Sequence, residues 1–324
     1  MTLSTSYEPQ SNLFDEIRAA CARVVVEAEH VRLVPERIAF YADTLASETL
    51  NPPTYDTEHH FWGEPDAVLA YLVTLDAVNF GSGYFPFLAK RPSMSGYFTV
   101  ASHLTAWFEQ RGAPSAAELA NLRVQDCADM FRQPLDSEEQ LELITLFAKA
   151  LNDLGTWLET RFQGSFPKLI EAADGSAATL VQLLAEMPFF QDVSTYKGFQ
   201  VPLYKRAQIT ASDLALAFGG EEFGAFYDLE NLTIFADNLV PHVLKVDGVL
   251  KYVPGLEARI ARNELIPAGS PEEVELRAVA LHAVERLAEY LEVSPRNLDI
   301  LLWNRGQGAR YRAHSRHRTR TVFY

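Results

Sequence analysis

The chain has 324 residues, 48% hydrophobic and 22% charged, which is enough apolar material for a sizeable core and excludes a disordered or fibrous protein. Its 28 Lys and Arg stand against 43 Asp and Glu, a formal charge of −15, which argues against a bulk nucleic-acid binder because phosphate backbones need a positive footprint. The imbalance is uneven: Arg305, Arg310, Arg312, Arg316, Arg318 and Arg320 fall near the end without one acid among them, leaving 22 cations against 43 anions elsewhere.

Met1 to Asn12 lacks the basic-then-apolar layout of a secretory signal, and no apolar run approaches the roughly 18 residues of a membrane span. A cytosolic protein without a membrane partner is therefore expected. Phe14, Ile17, Cys21, Val24 and Ala28 recur at helical spacing and predict an amphipathic helix. Leu141, Ile144, Ala148, Leu151, Leu154, Leu158 and Phe162 predict a second, and Val274, Ala278, Leu281, Val284, Ala288 and Leu291 a third. Ser137-Glu-Glu-Gln140 and Ser270-Pro-Glu-Glu273 supply their start signals, the second with Pro271 at the first helical position. Cys21 and Cys127, the only cysteines, lie in such patterns and read as two buried thiols rather than a disulfide or a metal site.

Strand-like alternation is confined to residues 199–204 and 321–324, so the expected fold is mainly α and multi-helical, without a parallel sheet. The turn clusters at Asn51-Pro-Pro53, residues 89–96 and 164–167, Glu186-Met-Pro188 and Gly219-Gly220 are short, and no internal repeat occurs. Residues 1–324 are expected to form a single domain or two closely packed helical lobes.

A Gly-rich phosphate loop with Lys-Ser/Thr, a G-x-S-x-G and an H-E-x-x-H are all missing from the sequence. Five other segments are unusual for a plain helical domain. His59-His-Phe-Trp62 packs imidazoles and rings suited to stacking a heterocycle, or simply a capping loop with its rings in the core. In residues 75–86, Asp76, Asn79 and Phe80 share one face if the preceding helix continues; they suit a purine-like base, or a helix C-cap at Gly81. Residues 195–208 deliver Lys205 and Arg206 to the start of a helix, where amides, dipole and cations suit a single phosphate, or a solvated face.

Residues 232–243 predict a helix enclosed nearly all round, with Asp237 buried on it and Pro241 kinking it. A buried carboxylate needs a catalytic task or a salt bridge, here to Arg206 or a tail arginine. The terminal His314-Ser-Arg-His-Arg-Thr-Arg-Thr-Val-Phe-Tyr324 ends in a β-prone apolar stretch suited to docking, which would turn it into a phosphate clamp or a partner for buried acids.

Taken in order, Asp76-x-x-Asn79-Phe80, Gly198 through Val201-Pro-Leu-Tyr-Lys-Arg-Ala-Gln-Ile209, Leu232-Thr-Ile-Phe-Ala-Asp237 with Val240-Pro241, and His317-Arg-Thr-Arg-Thr-Val-Phe-Tyr324 resemble the queuosine salvage proteins. The similarity runs from about residue 12 to the last residue, with departures at Gly81-Ser-Gly83 and Asn238. The resemblance implies a helical fold related to DNA glycosylases and hydrolysis of the N-glycosidic bond of queuosine 5′-monophosphate, without a metal or organic cofactor. It makes Asp237 the catalytic carboxylate, with Lys205 either keeping it ionised or holding the phosphate. It gives Asp76 and Asn79 to the base edge and Phe80, Phe61 and Tyr204 to stacking. His60, Arg206 and Arg318 become ribose or phosphate contacts. The expected partner is the free nucleotide, bound by a monomer, and not a nucleic-acid polymer. A non-catalytic helical nucleotide-binding protein and a DNA-repair-type glycosylase are the competing readings.

Overall fold

The computed structural model describes residues 12–49 and 53–324. The expectation for the N-terminal segment before Asn12 and most of the Asn51-Pro-Pro53 turn lie outside the described residues. The helices are α1 (Leu13–Glu27), α2 (Glu36–Leu45), α3 (Pro65–Ala77), α4 (Gly96–Arg111), α5 (Ala116–Ala120), α6 (Val124–Met130), α7 (Glu138–Phe162) and α8 (Phe166–Ala173). They continue as α9 (Ala177–Leu184), α10 (Lys205–Ala217), α11 (Leu239–Val246), α12 (Pro254–Ala261), α13 (Pro271–Leu291), α14 (Pro295–Gly306) and α15 (Ala309–Arg312). The strands are β1 (Val31–Leu33), β2 (Val193–Tyr196), β3 (Phe199–Pro202) and β4 (Leu250–Tyr252), paired antiparallel as β1 with β4 and β2 with β3. The protein is mainly α, as its periodicity predicts, and no helix of the described residues is long and apolar enough to cross a membrane.

The three periodic stretches are α1, α7 and α13, and their start signals act as the residue types require. Ser137 Oγ accepts from Gln140 N while Gln140 Oε1 accepts from Ser137 N, both at 3.2 Å. At α13, Ser270 Oγ accepts from Glu273 N at 3.3 Å, but Glu273 Oε2 reaches back to Gly269 N at 3.1 Å. Such caps contribute about 1 kcal/mol each. Helix α3 is buried on every side from Val68 to Ala77, packed by α10, α7, α8 and α4. Helix α13 is enclosed by α1, α2, α14 and α11. Each Leu or Val fully buried there contributes roughly 1.5–3 kcal/mol. Cys21 and Cys127 are free and buried, and burial pushes both thiols up, Cys127 to about 12. Neither is a nucleophile at neutral pH.

Two helix expectations are corrected. Residues 232–237 are not helical, and α11 begins only at Leu239. Asp237 is the reason: its Oδ1 accepts from Leu239 N at 2.7 Å and Val240 N at 3.2 Å, drawing off backbone donors as a short acidic side chain does at a helix start. Pro241 then falls in the first turn, where its missing N–H costs nothing, and no kink is required. The extended segment satisfies its backbone through side chains, with Thr233 N on Gln208 Oε1 at 2.9 Å and Phe235 N on Asp299 Oδ1 at 3.0 Å. Helix α3 in turn stops at Ala77, and Gly81, at φ +92°, turns the chain; Asn79 and Phe80 lie past its end rather than on its face.

The C-terminal tail docks, though not as a strand. Gly81 N donates to Tyr324 O at 2.9 Å and Ile266 N to Arg318 O at 2.8 Å, and Leu265 with Arg318 forms an isolated bridge. Gly83 makes the passage possible, since a Cβ there would stand 2.2 Å from Thr319 O.

Candidate active site

Segments distant in sequence meet around a cavity of about 840 Å³. Helix α10 presents Lys205, Ile209, Asp213 and Leu216 to it, positions that recur every third or fourth residue and so form one stripe. The loop after α3 adds Asn79 and Phe80, the 235–238 segment adds Asp237, α14 adds Asp299 and Trp303, and the tail adds Arg316 and Tyr324.

One part of the cavity is a cluster of acids around a single lysine. Asp237 is half-buried; its Oδ1 holds the two α11 amides, while Oδ2 makes no hydrogen bond among the described residues. Lys205 is buried, with Nζ 3.4 Å from Asn79 O. Burial lowers its pKa, and the charge of Asp237, followed by those of Asp76 and Asp299, opposes that loss. Asp299 is buried too; desolvation and then the neighbouring Asp237 push its carboxyl up to about 8. A carboxyl raised in this way favours its protonated form, which is a hydrogen-bond donor. Asp76 and Asp213 are likewise raised, Asp76 by burial and by the charge of Asp213, and Asp213 by burial.

The other part is cationic. Arg316 is half-buried and makes no hydrogen bond or salt bridge among the described residues. Burial lowers its pKa and the charge of Asp237 opposes this. Lys90 also lines the cavity, and partial desolvation and then the charge of Arg316 lower its pKa. Two like charges held at one opening are relieved by an anion, and a phosphate offers several acceptors to both.

Of the residues singled out from sequence, Asp237, Lys205, Asn79, Phe80 and His60 line the cavity. Asp76 is one layer back, its Oδ1 accepting from Asn79 Nδ2 at 3.4 Å. His60 has both ring nitrogens engaged, Nδ1 with Asp56 O at 2.9 Å and Nε2 with Tyr97 Oη at 2.8 Å. Because a carbonyl only accepts, the proton is on Nδ1, and burial lowers the pKa of the ring, leaving it neutral.

Besides Asp76, four residues do not reach the cavity wall. The guanidinium of Arg206 caps the C-terminal end of α3, donating to Asp76 O at 3.0 Å, to Ala77 O at 2.7 Å and to Phe189 O, with the rings of Phe80 and Phe190 beside it. A cation there complements the helix dipole. The anion expected at the start of α10 is supplied by the protein itself, as Asp192 Oδ2 accepts from Lys205 N at 3.1 Å. Arg318 donates to Gly83 O at 3.0 Å, Phe61 packs against Tyr71 and Phe108, and Tyr204 is the N-cap of α10 at φ 45°.

Sequence reasoning missed Asp213 and Asp299, and in the tail it preferred Arg318 to Arg316. Asp299 carried the signal that exposed Asp237, a lone acid in an apolar run, Leu298-Asp-Ile-Leu-Leu-Trp303. The choice between two tail arginines two residues apart has no sequence signal, because only the docked path of the tail decides which of them faces inward.

Residues 59–324 match the queuosine salvage protein family. A protein of Sphaerobacter thermophilus named queuosine 5′-phosphate N-glycosylase/hydrolase is 41% identical over 313 residues, covering 93% of this chain and 95% of its own. A mouse protein of the same name is 29% identical over 335 residues, covering 93% and 94%. One from Dictyostelium discoideum, again so named, is 38% identical over 182 residues, covering 54% and 57%. With the match spanning most of the chain and including Lys205, Asp237, Asp299 and Arg316 of the cavity, this protein belongs to the queuosine salvage protein family.

Proposed function

We propose that the cavity hydrolyses the N-glycosidic bond of queuosine 5′-monophosphate, releasing queuine and ribose 5-phosphate. The observation that carries this reading is that two acids and an arginine without an ion pair among the described residues line one cavity: Asp237, Asp299 and Arg316. Arg316 and Lys90 hold the 5′-phosphate, which fixes the ribose with its anomeric carbon toward Asp237. As the bond from carbon to base nitrogen stretches, positive charge grows on the sugar, and Asp237 stabilises it with a charge already oriented by two amides. Water then bonds to the anomeric carbon and yields its proton to Asp237, while the departing nitrogen takes a proton from Asp299. Lys205 holds the acids together, and Asn79 bonds the base edge. The cationic opening is local on an acidic protein, which suits a cytosolic monomer acting on the free nucleotide rather than on RNA.

Purified protein incubated with queuosine 5′-monophosphate should release free base, followed by chromatography, and unphosphorylated queuosine should be cleaved much more slowly. Equal cleavage of both would remove the phosphate role of Arg316, and binding of the nucleotide without base release would leave only a binding protein.

The pH dependence follows from Asp299. Because its folded pKa is raised to about 8, the proton is held below that pH and lost above it, removing the donor and adding a second negative charge beside Asp237. The rate should therefore fall as pH rises through about 8. The Asp299→Asn protein should be slower and flat over this range; a persistent alkaline fall in it would assign the titration to another group of the cavity, Asp213 or Lys205.

A further inference from the structure

We infer that Arg277 and Asp192, which touch neither the cavity nor its ligand, are positioning residues that set the placement of Asp237 relative to Lys205. The inference rests on the reaction proposed above.

Arg277 sits in the first third of α13 and is 1% exposed. Its Nε donates to Ala236 O at 2.8 Å, the carbonyl immediately before Asp237. Its Nη1 and Nη2 form a two-pronged pair with Asp192, at 2.8 Å to Oδ1 and 2.6 Å to Oδ2. The same Asp192 Oδ2 accepts from Lys205 N at 3.1 Å, and Asp192 O accepts from Leu203 N at 2.9 Å and Tyr204 N at 3.3 Å. One guanidinium thus joins the backbone that carries Asp237 to the backbone that carries Lys205. A third segment meets it as well: the guanidinium lies 4.6 Å from the ring of Tyr324, a cavity-wall residue at the end of the tail that bears Arg316.

Stability alone explains this arrangement poorly. A buried ion pair gives back in desolvation much of what it gains by attraction, and apolar residues of similar size commonly do as well. The pair has geometric value instead. Residues 232–237 are neither helix nor strand, so no ladder of backbone bonds sets their register, and side-chain anchors must do so. The planar fork of arginine fixes direction as well as distance, which a lysine ammonium does not. The nearby Glu273 Oε1, 3.5 Å from Nη1, adds a second acid on the same guanidinium.

The test is steady-state kinetics of Arg277→Lys and Asp192→Asn with queuosine 5′-monophosphate, each first checked for native circular dichroism. Arg277→Lys keeps the charge and loses the fork; its kcat should fall about 100-fold, the cost of roughly an ångström of misplacement, with KM near wild type. Asp192→Asn should show a smaller fall in kcat of the same kind, and the double variant should be little worse than Arg277→Lys alone because both act through one clamp. Folded variants with wild-type kcat would overturn the inference, as would a raised KM with unchanged kcat. If neither variant folds, the pair is an element of the fold and the inference falls too. Absence of base release by the wild type is a separate result, which removes the proposed reaction and the inference with it.

Discussion

Asp237→Asn should bind queuosine 5′-monophosphate nearly as well as the wild type and release base slower by on the order of 10³-fold. The substitution is isosteric, and an asparagine Oδ1 can still accept from Leu239 N and Val240 N, so the start of α11 survives. What disappears is the negative charge facing the sugar and the acceptor for the water proton. A thousandfold change in rate corresponds to about 4 kcal/mol of transition-state stabilisation, more than one neutral hydrogen bond supplies and in line with a charge preoriented by two amides. The measurement is single-turnover base release at saturating nucleotide, with thermal unfolding as the control for structure. Full activity in this variant would discard the assigned chemistry, whatever the affinity.

Arg316→Ala should lower kcat/KM for the monophosphate by about 10- to 100-fold, the range for losing charge-assisted bonds worth about 1.5–3 kcal/mol. Cleavage of unphosphorylated queuosine should be unchanged, so the preference for the nucleotide collapses. Since Arg316 makes no ion pair among the described residues, its removal leaves no protein carboxylate newly orphaned, and stability should barely move. Added salt should weaken nucleotide binding by the wild type and do so less for the variant, because screening acts on the charge that the variant lacks. An equal loss on nucleotide and nucleoside would show that Arg316 shapes the cavity without holding phosphate.

The legibility of the site differed from residue to residue for physical reasons. Asp237 stood out as an acid among apolar neighbours, and that part of the reading did not depend on the secondary structure around it, which was read wrongly as helix. The error had a local cause: apolar spacing in residues 232–243 fits a helix, but the carboxylate of Asp237 captures the amides that would have continued it. Lys205 and Arg206 show the opposite case. Adjacent cations on a helix point roughly 100° apart, so one faced the cavity and the other was turned onto the carbonyl end of α3. Phe61 and Tyr204 were legible as aromatic surface but not as to which surface, because stacking on a ligand and packing in a core require the same ring.

By itself the sequence determined the class of the fold, the helices α1, α7 and α13 with the caps of the last two, the buried thiols and the docking of a basic tail, since each follows from the spacing of apolar side chains or from short-range hydrogen bonding. Tertiary structure alone decided that Asp299 and Asp213 share the cavity with Asp237, that Arg316 rather than Arg318 faces it, and that Arg277 spans Asp192 and Ala236. The contacts of Arg277 and Asp299 join residues 41 to 85 positions apart, and no periodicity within one segment encodes the rotation and depth at which two distant segments finally pack.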